Sequence, residues 1–244
     1  MPEFTLKTYA ELFRPSNADV ILRTMTMAAA VTVASAILAF PVAYYAARFA
    51  RGRWKAAFYL GIMLPLWSSY LVKVYAWKLI LAKEGIVNWF VAEVGAESLL
   101  AALLALPGVG GPSLSFSPLG MFVVFVHIWL PYMVLPVHAA FERVPRSLVD
   151  ASADLGARPA ITFRRVVLPL VLPGVIGAGL FGFSLSYDEY ARSMFTTGPD
   201  ATLPLAVMAQ LDRQLAPEIY AVGTTTTLFS LIAVALCTFA FWAM

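Results

Sequence analysis

The chain has 244 residues, of which 61% are hydrophobic and only 13% are charged, and its mean hydropathy is +0.79. This composition excludes an ordinary soluble domain and predicts a single all-α transmembrane domain, a bundle of about five helices, over residues 1–244. The formal net charge of +3 does not indicate nucleic-acid binding, because the basic residues cluster at the ends of apolar runs, where they orient a protein in the lipid membrane. Cys237 is the single cysteine, which excludes an internal disulfide and a thiolate metal site.

Five apolar runs are long enough to cross the roughly 30 Å hydrocarbon core of a bilayer. The first has no charged residue between Arg23 and Arg48, and the second carries Lys73 and Lys78 near its far end, where long side chains reach the interface. Residues 1–18 lack the apolar core of a secretory signal, so the first run is expected to act as its own insertion signal. The predicted spans are residues 24–47, 56–82, 120–140, 166–187 and 220–244.

Residues 85–108 form an apolar segment that is interrupted by Glu93 and Glu97. If this segment does not span, the basic residues of 48–55 and of 143–165 fall on one side of the membrane, as the positive-inside rule requires. We therefore predict that 85–108 is an interfacial helix on the outer surface, followed by a loop. In this topology the N-terminus lies outside, the C-terminus lies inside, and residues 143–165 lie in the cytoplasm.

The predicted cytoplasmic loop is patterned as two short helices joined at a glycine. Ser147 and Asp150 have the spacing of a capping box. Gly156 suits a left-handed helix end, and Pro159 suits the first turn of the next helix. Such a loop is either a docking element or an interfacial connector that tolerates charge. On the first helix, one predicted face consists of Leu148, Ser152 and Leu155, and another of Arg146, Asp150 and Asp154.

The sequence DASADLGARPAITFRRVVLP, residues 150–169, resembles the signature loop of permease subunits in type I binding-protein-dependent ABC importers. The resemblance implies that this loop contains a coupling helix, which docks in a groove of a separate ATPase subunit. Asp150 stands where the family usually has Glu, Ala151 matches, and Ser152 replaces an alanine. The residues that the resemblance assigns to ATPase coupling are Asp150, Ala151, Ser152, Asp154, Leu155, Gly156, Arg158 and Pro159.

Two further segments, residues 65–88 and 184–208, are similar to permeases of the polyamine (spermidine and putrescine) uptake branch. The resemblance implies a multi-pass permease of the bacterial inner membrane that works with a second permease subunit, two ATPase subunits and an external solute-binding protein. The implied solute is a small cation of the polyamine kind, while related branches carry opines, iron or other small solutes. Family members usually have one more helix before a segment like residues 4–13, and that helix would give six spans with the N-terminus inside.

The sequence contains no phosphate-binding loop of the form G-x-x-x-x-G-K-[ST]. We therefore expect that this chain is not itself an enzyme and binds no cofactor. The family resemblance implies that ATP and Mg²⁺ are bound by the partner ATPase.

An acidic and aromatic cluster, comprising Tyr187, Asp188, Glu189 and Tyr190, follows the fourth predicted span at its outer end. Carboxylates attract a protonated amine, and each cation–π contact with a ring adds roughly 0.5–2 kcal/mol. The cluster is a candidate outer gate for a cationic solute. The alternative is that these acids simply face water at a helix end.

A second polar group, comprising Ser69, Tyr70 and Lys73, lies in the second predicted span, and Ser69 and Lys73 are one helical turn apart. Either this group lines the solute pathway or Lys73 anchors the helix at the membrane interface. In the fourth span, Pro169 and Pro173 precede a series of glycines, which indicates either a moving element or a static packing surface.

Three other interpretations compete with an importer permease. Ser69 and Lys73 would form the nucleophile pair of an intramembrane enzyme, but no other catalytic context accompanies them. His127 and His138 are about 16 Å apart along a helix, too far for one metal ion, and are expected to be packing residues. A plain channel would have no reason to carry the 150–169 pattern.

Overall fold

The computed structural model describes residues 15–189, 193, 202–211 and 217–242. Within these ranges the regular structure is helical and no strand occurs, so the predicted all-α fold class is confirmed. Hydrogen bonds inside helices satisfy the backbone polar groups that lipid cannot satisfy, which explains why a chain of this composition is helical. The described residues fall into two compact units, one within 27–199 and one within 1–26 and 200–244.

The helices of the described residues are numbered here in chain order. A 3-10 turn over Leu114–Phe116 precedes the sixth helix, and the eighth contains a π-helical turn over Phe163–Val167. The helices are α1 (Pro15–Arg48), α2 (Arg53–Trp67), α3 (Tyr70–Ile80), α4 (Ile86–Glu93), α5 (Glu97–Leu104), α6 (Pro118–Glu142), α7 (Arg146–Asp154), α8 (Pro159–Tyr187), α9 (Leu203–Leu211) and α10 (Pro217–Trp242).

Three described helices are long and apolar enough to cross a membrane, namely the Ala18–Arg48 part of α1, α6, and α8. They coincide with the first, third and fourth predicted spans, which are confirmed as helices of spanning length and composition. α10 covers residues 220–242 of the fifth predicted span, and its described apolar stretch is Tyr220–Leu236. The chain is therefore a multi-pass membrane protein, as its composition predicts.

The second predicted span is broken in two. α2 and α3 meet at a bend of 98° and have the length and composition of a span only as a pair. Pro65 lies near the end of α2, and Ser68 and Ser69 have extended backbone with ψ of 145° and 136°. Proline lacks an N–H donor and weakens the turn that contains it, which allows the helix to end at Trp67. The segment is either a broken span or a re-entrant loop.

Residues 85–108 contain α4 and α5, which have eight residues each. At 1.5 Å per residue each helix is about 12 Å long, less than half of the hydrocarbon core. Gly95 has a φ of +72°, which allows the chain to turn between them. The prediction that this segment forms no spanning helix is confirmed, but the predicted single helix is two short ones.

α6 is the most enclosed of the three long helices. Of its 18-residue apolar window 61% is buried, against 22% in the corresponding windows of α1 and α8. α6 packs extensively against α8, and a Cβ atom added to Gly174 would lie 2.7 Å from the Cβ atom of Ala140. Because hydrophobic burial does not drive helix association in lipid, close van der Waals contact at small residues takes its place. Gly174 therefore belongs to a packing surface.

Candidate functional site

The loop between α6 and α8 is a helical hairpin, residues 143–165, built around α7. α7 ends in a Schellman motif, in which the Ala157 N–H donates to Ser152 O at 3.1 Å and the Gly156 N–H donates to Ala153 O at 2.8 Å. Gly156 has a φ of +77°, a conformation that costs residues with a side chain about 1–2 kcal/mol. Pro159 begins α8, where its missing N–H costs nothing. The predicted pair of helices joined at Gly156 is confirmed.

The predicted capping box of Ser147 and Asp150 is wrong. α7 begins at Arg146 with Pro145 as its N-cap residue, and no side chain caps its first turn. Ser147 is therefore already inside the helix and is not its N-cap. Pro145 has a φ of −61° and a ψ of 136°, and this fixed geometry, which the serine–aspartate spacing does not reveal, sets the start of the helix.

The inner face of the hairpin is tied to the start of α8. Ser152 Oγ and Thr162 Oγ1 form a hydrogen bond at 2.9 Å, and Thr162 is buried. Val149 and Phe163, one on each helix, pack against the same hydrophobic core. Ser152, which replaces an alanine of the family pattern, thus joins the two helices of the hairpin.

The outer face of the hairpin carries most of the residues predicted to contact an ATPase. Leu155 is 88% exposed. Leu148 is also exposed, so the predicted face of Leu148, Ser152 and Leu155 is not buried as a unit, and only Ser152 turns inward. Leu148 and Leu155 thus leave apolar area exposed beside the carboxylates of Asp150 and Asp154. The other exposed residues of the predicted set are Asp150, Ala151, Asp154, Gly156, Arg158 and Pro159.

The π-helical turn of α8 lies against an aromatic cluster that the sequence did not reveal. The Phe163 ring centroid is 5.8 Å from those of both Phe40 and Tyr44, edge-on. Phe141 lies 5.0 Å from Phe40 and 5.3 Å from Tyr44. Such contacts add about 0.5–1.5 kcal/mol each beyond area burial. The cluster joins α1, the end of α6 and the start of α8 beside the hairpin.

The predicted outer-gate cluster lies partly within the described residues. α8 ends at Tyr187, whose ring stacks on an aromatic ring one turn earlier at a centroid distance of 6.1 Å. Asp188 is the exposed C-cap residue of α8, and the backbone oxygen of Glu189 accepts a hydrogen bond from Ser193 Oγ at 2.5 Å. Tyr190 lies outside the described residues, so the cluster as a set stays a prediction.

The second polar group lies at the break between α2 and α3. Ser69 is the N-cap residue of α3 and Tyr70 its first residue; the Tyr70 side chain is outside the described part. Lys73 Nζ donates to the backbone oxygen of Pro65 at 2.8 Å, and Ser68 Oγ donates to the same oxygen at 2.8 Å. The ammonium group thus satisfies a carbonyl freed at the end of α2, where the helix dipole favours a positive charge. Lys73 therefore stabilises the break, a role that neither sequence interpretation included.

The two histidines occupy separate aromatic contacts. The His127 ring lies 5.0 Å from Trp77, and the His138 ring lies 5.2 Å from Tyr59. Among the described residues no three His, Cys, Asp or Glu side chains converge as they do in a metal site. The interpretation of both histidines as packing residues is confirmed by their ring contacts.

A family model accounts for most of the chain. Residues 39–244 match the model described as binding-protein-dependent transport system inner membrane component. The matched region includes the hairpin and the helices on either side of it. It also includes the broken second span.

Curated relatives agree with this match. The inner membrane ABC transporter permease protein YdcU of Escherichia coli K12 is 59% identical over 189 residues, which cover 78% of this chain and 60% of YdcU. The spermidine/putrescine transport system permease protein PotB of the same organism is 29% identical over 72% of this chain and 60% of PotB. Its putrescine transport system permease protein PotI is 27% identical over 91% of this chain and 72% of PotI. The chain spans about 60% of the length of YdcU and PotB.

A solved structure shares the fold. One chain in a crystal structure of a bacterial ABC transporter involved in the import of the acidic polysaccharide alginate superposes with a TM-score of 0.71. The sequence identity is 14%, and the likeness covers 98% of this chain and 84% of the other. The resemblance to importer permeases of the polyamine branch is confirmed by PotB and PotI. With the family match over residues 39–244, the chain belongs to the family of inner membrane components of binding-protein-dependent transport systems.

Proposed function

We propose that the chain is a permease subunit of an ABC importer that moves a small cationic solute of the polyamine class across the bacterial inner membrane into the cytoplasm. The observation that carries the proposal is the exposed hairpin, which continues directly into α8, a helix of 29 residues. A rigid protrusion joined to a spanning helix suits the transmission of movement from a soluble motor to the membrane. The family match supports this interpretation.

In the proposed cycle, two ATPase subunits bind ATP and Mg²⁺ and close on each other while each holds a permease hairpin. Closure displaces α7. The displacement reaches α8 because the backbone bonds at Gly156 fix the turn that leads into α8, and the bond between Ser152 and Thr162 joins the two helices. A tilt of α8 then changes which side of the membrane has access to the solute, in a pathway shared with a second permease subunit.

A polyamine-like solute is supported by the names of PotB and PotI and by the residues after α8. Asp188 is exposed at the predicted outer end of this helix, and Tyr187 and Glu189 flank it. Carboxylates beside an aromatic ring favour an organic cation over an anion. An external solute-binding protein would deliver the solute and supply much of the selectivity.

The test of the function is uptake by the complete transporter in proteoliposomes. With the second permease, the ATPase subunits and the binding protein present, we expect uptake of radiolabelled putrescine or spermidine only when ATP is supplied on the ATPase side. Uptake without ATP would indicate a channel. ATP-dependent uptake of an opine or an iron chelate in place of the polyamines would contradict the proposed solute and leave the importer class intact.

The test of the docking surface uses Leu155. Leu155→Asp replaces the exposed apolar side chain that is proposed to contact the ATPase with a charged one. We therefore expect the variant to lose the ATPase during copurification. The control Leu155→Met is expected to retain it. Membrane insertion of both variants is checked by their yield. Retention of the ATPase by Leu155→Asp would contradict docking at this surface.

The test of the outer gate uses Asp188→Asn, which removes the charge and keeps the shape. We expect the KM for putrescine uptake to rise by about threefold to tenfold, consistent with the loss of one favourable charge contact. The control is Glu93→Gln, which removes a carboxylate from the other segment predicted on the outer side. Unchanged uptake kinetics of Asp188→Asn would remove Asp188 from the pathway.

A further inference from the structure

The end of α1 and the start of α2, on either side of the loop that connects them, each contact the root of the hairpin. Lys55 Nζ donates to Glu142 Oε1 at 2.5 Å. Arg48 Nη2 donates to the backbone oxygen of Val144 at 3.4 Å. Glu142 is the last residue of α6, and Val144 is buried in the chain that leads into α7. We refer to Arg48, Lys55, Glu142 and Val144 as the root clasp.

The charged pair of the root clasp opposes the dipoles of its own helices. Lys55 lies in the first turn of α2, where the helix end is partially positive, and Glu142 ends α6, where it is partially negative. Each residue therefore disfavours its own helix end. The two side chains are 40% and 38% exposed, and ion pairs of that exposure add little to stability. The location of the ion pair is therefore explained by the connection that it makes between α2 and the end of α6, and not by stabilisation of either helix.

The carboxylate of Glu142 also contacts a buried histidine of its own helix. Its second oxygen, Oε2, lies 3.7 Å from Nδ1 of His138, which is buried one turn earlier on α6. The hydroxyl of Tyr59, on α2, lies 3.2 Å from the same nitrogen. The contact between α2 and the end of α6 thus runs over two successive turns, which fixes the position of the carboxylate.

Two neighbouring arginines differ from the clasp residues. Arg51 and Arg53 are exposed. Neither contacts a carboxylate within the described part of the chain, and the Arg53 guanidinium lies over the Trp54 ring at 5.9 Å. Removal of a positive charge at Arg51 therefore changes the charge of the loop without breaking the clasp, which makes Arg51 a matched control.

We propose that Lys55 and Glu142 are positioning residues of the transport cycle, which make the loop between α1 and α2 follow the hairpin when it is displaced. The proposal rests on the proposed function, since the ATPase is the assumed source of the displacement. Without the clasp, the aromatic cluster around Phe163 still joins the start of α8 to α1, but no ion pair ties the first turn of α2 to the end of α6. With the clasp intact, α2 is tied to the root of the hairpin as well.

The experiment measures putrescine uptake and ATP hydrolysis together, in proteoliposomes that contain the complete transporter with its binding protein. The variants are Lys55→Met, Glu142→Gln, the charge swap Lys55→Glu with Glu142→Lys, and the control Arg51→Met. We expect each single variant to lower the number of solute molecules taken up per ATP by about twofold to fivefold, the range that the loss of one half-exposed ion pair allows. The swap restores most of the ratio, and Arg51→Met leaves it unchanged.

The readout separates coupling from folding, because uptake per ATP is independent of the amount of folded transporter. If a single variant fails to assemble, the charge swap and Lys55→Arg still decide the outcome, since both retain an ion pair and are expected to keep the ratio. A ratio that stays at the wild-type value in Lys55→Met or Glu142→Gln, or a swap no better than the singles, would overturn the proposal. Absence of ATP-dependent uptake in the wild type would instead overturn the proposed function.

Discussion

Two interruptions of the helical structure are built differently: the hairpin after α6 and the break between α2 and α3. The hairpin turns at Gly156, with a φ of +77°, and two backbone hydrogen bonds close the end of α7. The break contains no glycine. Its chain is extended at Ser68 and Ser69, and the hydroxyl of Ser68 and the ammonium of Lys73 satisfy the carbonyl of Pro65.

The hairpin and the break differ in the substitutions that each of them tolerates. The hairpin depends on backbone conformation, so one substitution at Gly156 strains it and side chains elsewhere cannot compensate. The break depends on two side-chain donors to one oxygen, so it retains a donor when either is lost. A rigid turn suits an element that transmits force. A break stabilised by exchangeable donors suits a segment that adjusts within the membrane, where every carbonyl needs a partner.

The largest effect is expected for Gly156→Val. A β-branched residue at a positive φ is a severe outlier, and the left-handed conformation alone costs about 1–2 kcal/mol. Because every 1.4 kcal/mol corresponds to about a tenfold change in an equilibrium constant, ATP-dependent uptake should fall by about tenfold or more. The measurement is uptake per milligram of transporter in proteoliposomes, with membrane insertion checked by yield.

The matched control for this substitution is Gly177→Ala. Gly177 lies within α8, and a Cβ atom added there meets nothing within 4 Å. We expect normal uptake. Gly156→Asn should keep more activity than Gly156→Val, since asparagine tolerates the left-handed region. Equal activity of Gly156→Val and the wild type would show that the hairpin is not the rigid element inferred here.

The hairpin could be predicted from the sequence because its determinants are local. The few neighbouring residues are enough to recognise a glycine that needs a positive φ and a proline at the first position of a helix, as with Gly156 and Pro159. The long spans were predictable for a similar reason, since the uncharged run between Arg23 and Arg48 is by itself long enough to indicate a transmembrane helix. The broken span was predicted as a single continuous span, because its hydropathy is continuous and Pro65 does not by itself specify a bend.

Contacts across the chain could not be predicted. The ring contacts of Phe163 with Phe40 join residues that are far apart in the sequence, and so does the pair of Lys55 with Glu142. Nothing in local spacing indicates which basic residue within 48–55 meets the carboxylate at the end of α6. The candidate site was thus predictable as a set of exposed residues, and its attachment to the rest of the protein required the structure.

A smaller effect is expected for Ser152→Ala, which tests whether the hairpin moves as one body with α8. The substitution leaves the buried hydroxyl of Thr162 without its partner, and an unsatisfied buried hydroxyl costs about 1–3 kcal/mol. We expect faster amide hydrogen exchange in α7, because its attachment to α8 opens more often. Ser152→Ala combined with Thr162→Val removes both polar groups and should exchange more slowly than Ser152→Ala alone. Unchanged exchange in Ser152→Ala would mean that the backbone turn alone holds the hairpin.

The smallest effect is expected at the break, for Lys73→Met, because the oxygen of Pro65 still accepts a hydrogen bond from Ser68. The free energy of unfolding in detergent should fall by about 0.5–1.5 kcal/mol, the net contribution of one hydrogen bond, and Ser68→Ala should have a similar effect. The double variant leaves the carbonyl with neither donor, so its loss of stability should exceed the sum of the two single losses. Strict additivity of the two substitutions would show that the donors act independently, and the contrast between a backbone-determined hairpin and a break stabilised by exchangeable donors would then fail.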